Sequence, residues 1–509
     1  MKSALALRHL VNRLGALTVD GALDAPVAAL AYDVRRVVPG AVFFAMPDCA
    51  DGEAQFAIPR AIERGAAAIV CEQGGYVPYR AARIRVANCR RAMAAAAAAF
   101  HGEPSHKLQV VVVTGCGARV AVAHLLRDVF TAAGIPTGLL SSRGCRFGER
   151  SLPALTPAPE ALDVQERLAD ILRAGCQAGI LELPIEAIDR GCLAGSELDT
   201  LISTQISSAH ASAGHGAPPA TPGWETHLRF RGAAAGRRPA SRIWRVEDVL
   251  TGRAGADAGL WFRVHYGPVQ SGSFRARLGR LTPRGTRLEI TTPSGEQTLR
   301  LPLPGREQAR AALAVVAISH GLKLPLAAVL NGLGHAQPVP GLLEPVSNGH
   351  AVQVLVDAAQ SLADFERALR ELRDLSPGRV LVLFGCGWRH SAPVRLAFGA
   401  AAARWADEVI LTSDNSGREP AGQIAAEVAA GHARVKGRPP LIVLDRREAI
   451  AAVLARARGG DCVLLAGKGH RAWQETGDCV VPFDDREQAR AALRGTPARS
   501  RPAHPEVLV

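Results

Sequence analysis

A chain of 509 residues, 48% hydrophobic and 21% charged, has the composition of a globular protein of about two to four domains. No apolar run approaches the roughly 18 residues of a membrane span. Ten cysteines lie scattered without CxxC or zinc-type spacing, which argues against a disulfide framework or a zinc centre and for reduced thiols. The net charge of +13 would admit a nucleic-acid partner, but the arginines are dispersed and only 5% of residues are aromatic. Solvated arginine, or a polyanionic small substrate, explains the charge better than nucleic acid does.

The first residues, MKSALALRHLVNRLGALTVDG, read as an amphipathic helix interrupted by Arg8, His9 and Arg13. They lack the clean apolar core and small-residue cleavage site of a signal peptide, so the cytoplasm is the default location. Short strands follow (ALAYDVRRV, GAVFFAM, AAAIVCE, RIRVAN). AIPRAIERGAAAIVCE predicts a helix stopped at Gly65 and then a buried strand. CRRAMAAAAAAFHGEP predicts a helix closed by Gly102 and Pro104.

At residues 111–126, VVVTGCGARVAVAHLL opens like a phosphate-binding strand, loop and helix. Such a loop should close on Gly-Lys-Ser/Thr, and here Ala118, Arg119 and Val120 hold those places. PTGLLSS, QAGILELPIEAIDRGC and DTLISTQIS continue a βαβ order, which implies a mostly parallel sheet with its ligand site at the strands' carboxyl ends. Residues 211–240 are rich in Gly, Pro and Ala and read as an irregular loop. LWFRVHYG, SFRARLGRL, TRLEITTPSG and QTLRLPLPG alternate at period two and predict antiparallel strands, followed by a helix at REQARAALAVVAISHGL. From VQVLVDAA through RVLVLFGCG, DEVILTSDN and PLIVLD to DCVLLAGKGH, strands alternate with helices in a Rossmann-like pattern.

The order of these motifs resembles the Mur ligases, in the branch of the UDP-N-acetylmuramyl-tripeptide synthetases, along nearly the whole chain. YDVRRVVPGAVFFAMPDCADGEAQFAIPRAIERGAAAIV is similar to the family's uridine-nucleotide segment, and VVVTGCGARVA stands where the family has VTGTNGKTT. ILELPIEAIDRG, ISTQISSAH, LFGCGWRHSAP, LTSDNSG, AGKGHRAWQ and FDDRE follow in the family's order. The resemblance implies an α/β protein of three domains. Residues 1–105 would form the UDP-substrate domain, 106–340 a central parallel-sheet ATP-binding-type domain with extra antiparallel strands, and 341–509 a Rossmann-like domain.

It also implies ATP, Mg²⁺ and a UDP-muramyl-peptide, joined to an amino acid through an acyl phosphate. The nucleotide-side positions are Thr114, Gly115, Gly117, Arg119 and Asp357. The substrate-side positions are Asp33, Arg35, Asp414, Asn415, Lys468 and His470. Glu182 and His210 fall where the family has catalytic or metal-binding residues.

The departures concentrate on charged chemistry. Val120 lacks the hydroxyl that binds magnesium, Pro184 and Glu186 replace a serine and a histidine, and residues 211–240 contain no lysine where the family carries a carbamylated one. Gln360 replaces a histidine, Leu342 an arginine, and Ser416 and Gly417 stand in the amino-acid motif, with Arg418 next to it. The expectation is a catalytically impaired paralogue with a binding or regulatory role, toward a small molecule or a protein partner. The alternative is a working ligase in which Arg119 and Glu182 serve as phosphate and metal ligands. For Arg119 a solvated helix-start arginine, for Glu182 a strand-end carboxylate, and for His210 a polar loop residue are the structural alternatives. Lys468 and His470 would line a ligand pocket, and FDDRE would cap a helix through Asp484 or Asp485.

Overall fold

The computed structural model describes residues 6–47, 54–73, 81–116, 118–154, 159–205, 229–230, 243–247, 261–264, 274–346, 352–476, 479–494 and 506–507. Gly117, His210 and nearly all of the 211–240 loop fall outside the described residues; within that loop Arg229–Phe230 pairs with Glu197–Leu198.

Three α/β sheets follow one another along the chain. The first has five strands, parallel except where Ala16–Asp20 runs antiparallel to Ala82–Val86. The opening helix is shorter than its sequence pattern suggests. It spans Leu7–Leu14 and stops at Gly15, whose φ of 63° is left-handed, and the next residues turn into the edge strand. Burial favours that outcome, because Leu7, Leu10, Val11 and Leu14 already form a complete apolar face. The helix ahead of Gly65 ends at Glu63, and Ala68–Cys71 then runs buried through the sheet.

The central sheet has seven strands. Among its inner strands is Gln109–Cys116, parallel to Ala178–Glu182, the middle strand, on one side and Thr200–Gln205 on the other. Val110, Val111, Val112 and Val113 are fully buried, as a strand covered on both faces requires. The period-two segments form an antiparallel sheet through Trp261–Val264, Phe274–Thr282, Gly285–Thr292 and Gly295–Leu301. Its inner face shares a core with the helices Arg119–Ala132 and Arg306–Gly321.

The third sheet has six strands. Cys462–Ala466 lies between Gln353–Asp357 and Val380–Phe384, and Glu408–Leu411 lies beyond. Helices cover both of its faces, one core around Phe365, Phe384 and Phe398 and another around Ile450, Val453 and Ala489. No helix among the described residues is long and apolar enough to cross a membrane. The described cysteines are free thiols, buried except for Cys479.

Candidate functional site

The parallel register brings the carboxyl ends of three central strands together. Glu182 pairs with Val113, and Thr204 with Gly115. Gly115 has φ 104°, and a Cβ built there would lie 2.0 Å from the Thr204 carbonyl oxygen. Only glycine fits this backbone. Thr114 is buried; its hydroxyl has no hydrogen-bond partner among the described residues, and its carbonyl accepts from the Thr204 hydroxyl at 3.0 Å.

Arg119 begins the following helix, and its side chain folds back over the loop. Its Nε donates directly to Glu182 Oε1, and Nη1 donates to the Gly115 carbonyl at 3.1 Å. The other carboxylate oxygen of Glu182 accepts from the Ser142 amide at 2.6 Å and the Ser141 hydroxyl at 3.0 Å. Burial works against the charged form of Glu182, but the Arg119 charge and the Ser142 hydrogen bonds outweigh it and hold the group below the usual carboxylate range. His124 supports the same cluster from inside the helix, with Nε2 at 3.3 Å from Ser141 Oγ. Burial, helped by nearby arginines, pushes its value down to about 3, so it is neutral.

Ser141 also accepts from the Arg143 amide at 3.2 Å, and the Arg143 guanidinium reaches His470 Nδ1 at 2.9 Å. Arg119, Glu182, Ser141, Arg143 and His470 therefore form one hydrogen-bonded chain from the loop to the C-terminal sheet. Burial and then the charges of Arg143, Arg471 and Arg486 push His470 down to about 3, which leaves its Nδ1 free to accept. No motif pointed to Ser141, Ser142 or Arg143. Their role follows from the turn after Thr137–Ser141, which lies beside Glu182 only once the parallel sheet is built.

On the C-terminal sheet, Asp357, Asp414, Asn415, Lys468 and His470 gather at the strand ends. Asp357 is buried and accepts from the Leu343 amide at 2.9 Å; burial raises its value. Lys468 is fully buried, donates to the Trp473 carbonyl at 3.1 Å and lies 3.7 Å from Asp414. Burial, followed by repulsion from Arg446, lowers it to about 8. Beside it Arg446 grips Asp485 at two points, 2.8 and 2.6 Å, with both side chains fully buried. Asp484, not Asp485, caps the helix of FDDRE through the Arg486 amide at 2.8 Å. Asp414 accepts from the Asn415 amide at 2.9 Å, and Asn415 Oδ1 accepts from the Glu475 amide at 3.0 Å.

Asp33 and Arg35 lie apart from these groups, on the first sheet. They bind each other, Arg35 donating its amide at 2.8 Å and Nη2 at 2.7 Å to Asp33. Neighbouring Tyr32 and Arg36 bind Asp163 at 2.6 and 3.0 Å, which fastens this sheet to the helix Ala161–Arg173. Sequence reasoning did not find that junction.

Comparison with known proteins follows the geometry. The Mur ligase, glutamate ligase domain family matches residues 343–469. A UDP-N-acetylmuramoyl-L-alanyl-D-glutamate–2,6-diaminopimelate ligase from Geobacillus thermodenitrificans is 31% identical over 505 residues, covering 96% of this chain and 99% of that one. A UDP-N-acetylmuramyl-tripeptide synthetase from a Roseiflexus species is 34% identical over 485 residues, covering 92% and 94%. A solved diaminopimelate ligase structure aligns with a TM-score of 0.58 at 20% identity, over 97% of this chain and 99% of that one, and so shares the fold. With sequence identity above 30% along nearly the full length of both chains, the protein belongs to the Mur ligase family, in its tripeptide-synthetase branch.

Proposed function

We propose that the protein keeps the scaffold of the ligase that adds the third amino acid to a UDP-muramyl-dipeptide, and is impaired in phosphoryl transfer. In this reading it serves in the cytoplasm as a binding or regulatory paralogue, toward a UDP-muramyl-peptide, another small molecule or a protein partner. Residues 1–105 carry the uridine side, 106–340 the nucleotide side and 341–509 the acceptor side. The names of the relatives support the family reaction.

The Arg119–Glu182 contact carries the impairment. Phosphoryl transfer needs a positioned nucleotide and a divalent cation to neutralise its charge. A cation needs a free carboxylate or hydroxyl oxygen. Val120 has no hydroxyl, and Glu182 is buried with Arg119 on one oxygen and Ser141 and Ser142 on the other. On this reading the loop fits magnesium poorly, because its carboxylate is engaged on both oxygens and its unpartnered hydroxyl sits at Thr114, not at position 120. What they offer is the start of a helix and one buried threonine hydroxyl, a setting for a simpler anion.

A second reading has one observation in its favour. Arg119 occupies the lysine position and touches both the loop and Glu182, so a cation and a carboxylate are both present. This reading is an active ligase that uses the two as stand-in phosphate and metal ligands.

Isothermal titration with ATP and Mg²⁺ near millimolar concentration separates the two, together with phosphate release in the presence of a UDP-muramyl-dipeptide and an amino acid. We expect no heat and no phosphate. Turnover at an ordinary enzymatic rate overturns the first reading and establishes the second. The triple reversion Ala118→Gly, Arg119→Lys, Val120→Thr is expected to remain inactive, because residues 211–240 still supply no lysine.

A further inference from the structure

The antiparallel sheet of the central region is strongly basic. Residues 274–301, its last three strands with their turns, hold six arginines against two glutamates and no other charged residue, a net +4 of the chain's +13. Strand alternation sorts them. Ala276, Leu278, Leu288, Ile290, Leu299 and Leu301 turn inward, to the core shared with the helices Arg119–Ala132 and Arg306–Gly321. Arg277, Arg287 and Arg300 therefore stand on the opposite face, each exposed. A bulge between Leu278 and Leu281 exposes Arg280 as well, and the hairpin turn exposes Arg284. Glu289 and Glu296 are the acids exposed with them.

The arrangement carries a cost. Arg287 and Arg300 are direct partners in the antiparallel register, which sets two like charges side by side. Gly279 lies against Arg287. A Cβ there would come within 3.2 Å of the Arg287 carbonyl oxygen and 3.4 Å of its Cβ, so the glycine leaves room for the arginine stem. None of the five arginines makes a side-chain hydrogen bond or ion pair among the described residues. Helical surface arginines behave otherwise, pairing with acids one turn away at Arg167–Asp170, Arg310–Glu307 and Arg370–Glu366.

Three kinds of partner carry matching charge, and the residues favour one. Protein interfaces need buried apolar anchors, and no large apolar side chain of residues 274–301 is exposed. Single-stranded nucleic acid needs aromatic platforms, and the one aromatic residue in this stretch, Phe274, is buried. The major groove of a duplex admits a helix or a two-stranded ribbon, and this sheet is four strands wide. A broad face of arginines suits a plane of phosphates, where each guanidinium meets phosphate oxygens at two points. We infer that this sheet docks the protein reversibly on an anionic lipid surface through Arg277, Arg280, Arg284, Arg287 and Arg300. With no exposed apolar side chain to insert, the attachment is electrostatic and salt-sensitive. The docked face is the one turned away from the helix that Arg119 begins.

Sedimentation of the full-length protein with vesicles tests the inference. The vesicles are phosphatidylcholine alone, or phosphatidylcholine and phosphatidylglycerol in a two-to-one ratio. Binding is expected on the anionic vesicles only, and raising the salt from about 0.05 to about 0.5 M should release it. Arg277→Gln/Arg287→Gln/Arg300→Gln should weaken binding about a hundredfold, at roughly fivefold for each arginine, with the thermal midpoint unchanged or slightly raised. Removing the same charge from helices, in Arg13→Gln/Arg167→Gln/Arg173→Gln, should leave binding almost unaltered. No sedimentation with the anionic vesicles at low salt, equal sedimentation with the neutral ones, or the same loss in both triple variants would overturn the inference. So would a mixed-sequence oligonucleotide that binds more tightly than the vesicles at equal salt and loses its affinity in the sheet variant, which would assign the face to nucleic acid. The assay contains neither ATP nor a muramyl-peptide, so its result stands apart from the reading of the Arg119 loop.

Discussion

The central loop and the C-terminal strand ends each hold a buried ion pair, and the two pairs differ in what they tie up. Arg446 and Asp485 meet at two points with no exposure, and Arg446 also donates to the Ala466 carbonyl at 3.1 Å. Arg119 and Glu182 meet at one, with the arginine 22% exposed at the mouth of a ligand-type loop. The first pair knits two helices to a sheet; the second joins the start of a helix to the end of a neighbouring strand. A motif retained in sequence, such as FDDRE, can thus be kept for packing, while an altered one can be stabilised by a new contact.

That contrast can be broken experimentally, and the largest effect is expected at Arg446. Arg446→Met leaves Asp485 charged and buried, which should destabilise by about 3–5 kcal/mol. Urea denaturation measures it, and Arg446→Met/Asp485→Leu should recover most of the loss. If the single substitution is mild, the C-terminal pair is not structural and the contrast fails.

Glu182→Gln should be milder, roughly 1–3 kcal/mol, because Arg119 can turn to water. It also has a pH signature. Glu182 is held below its ordinary value, so its contribution is present above about 4.5 and is lost as pH falls through the folded value. The variant should flatten that acid limb. An unchanged limb would mean the loop pair contributes nothing to the folded state.

The smallest effect is expected at Lys468. Its value falls from 10.5 to about 8, so charge on this lysine opposes folding until pH rises from about 8 towards 10.5, where stability is regained. Lys468→Met should change stability at neutral pH by about 1 kcal/mol or less and remove that alkaline gain. A large loss would show that the hydrogen bond to the Trp473 carbonyl outweighs the desolvation of the ammonium.

Much of the fold was legible because burial leaves a local trace. The run Val110–Val113 and the strands around Leu355, Val382 and Leu464 are covered on both faces and read as unbroken apolar segments. The opening helix was overextended because its apolar spacing continues past Gly15 into Leu17 and Val19, which the structure leaves exposed on an edge strand. Parallel strand order brings Thr114, Gly115 and Glu182 to neighbouring strand ends. Their contacts were not legible, because they depend on Ser141 and Arg143, which approach only through the parallel register. Arg446 escaped notice for the same reason: it meets Asp485 39 residues later in the chain, and nothing in the helix start DRRE marks a buried partner.

The glycine at 115 has a lesson for anyone tracing ancestry by fingerprint residues. Its neighbour across the strand, the Thr204 carbonyl, sits where any side chain would have to go. Main chain alone therefore preserves the letter, whatever passes above it. Descendants of this gene would go on displaying the glycine of a phosphate cradle whether or not phosphate is bound there.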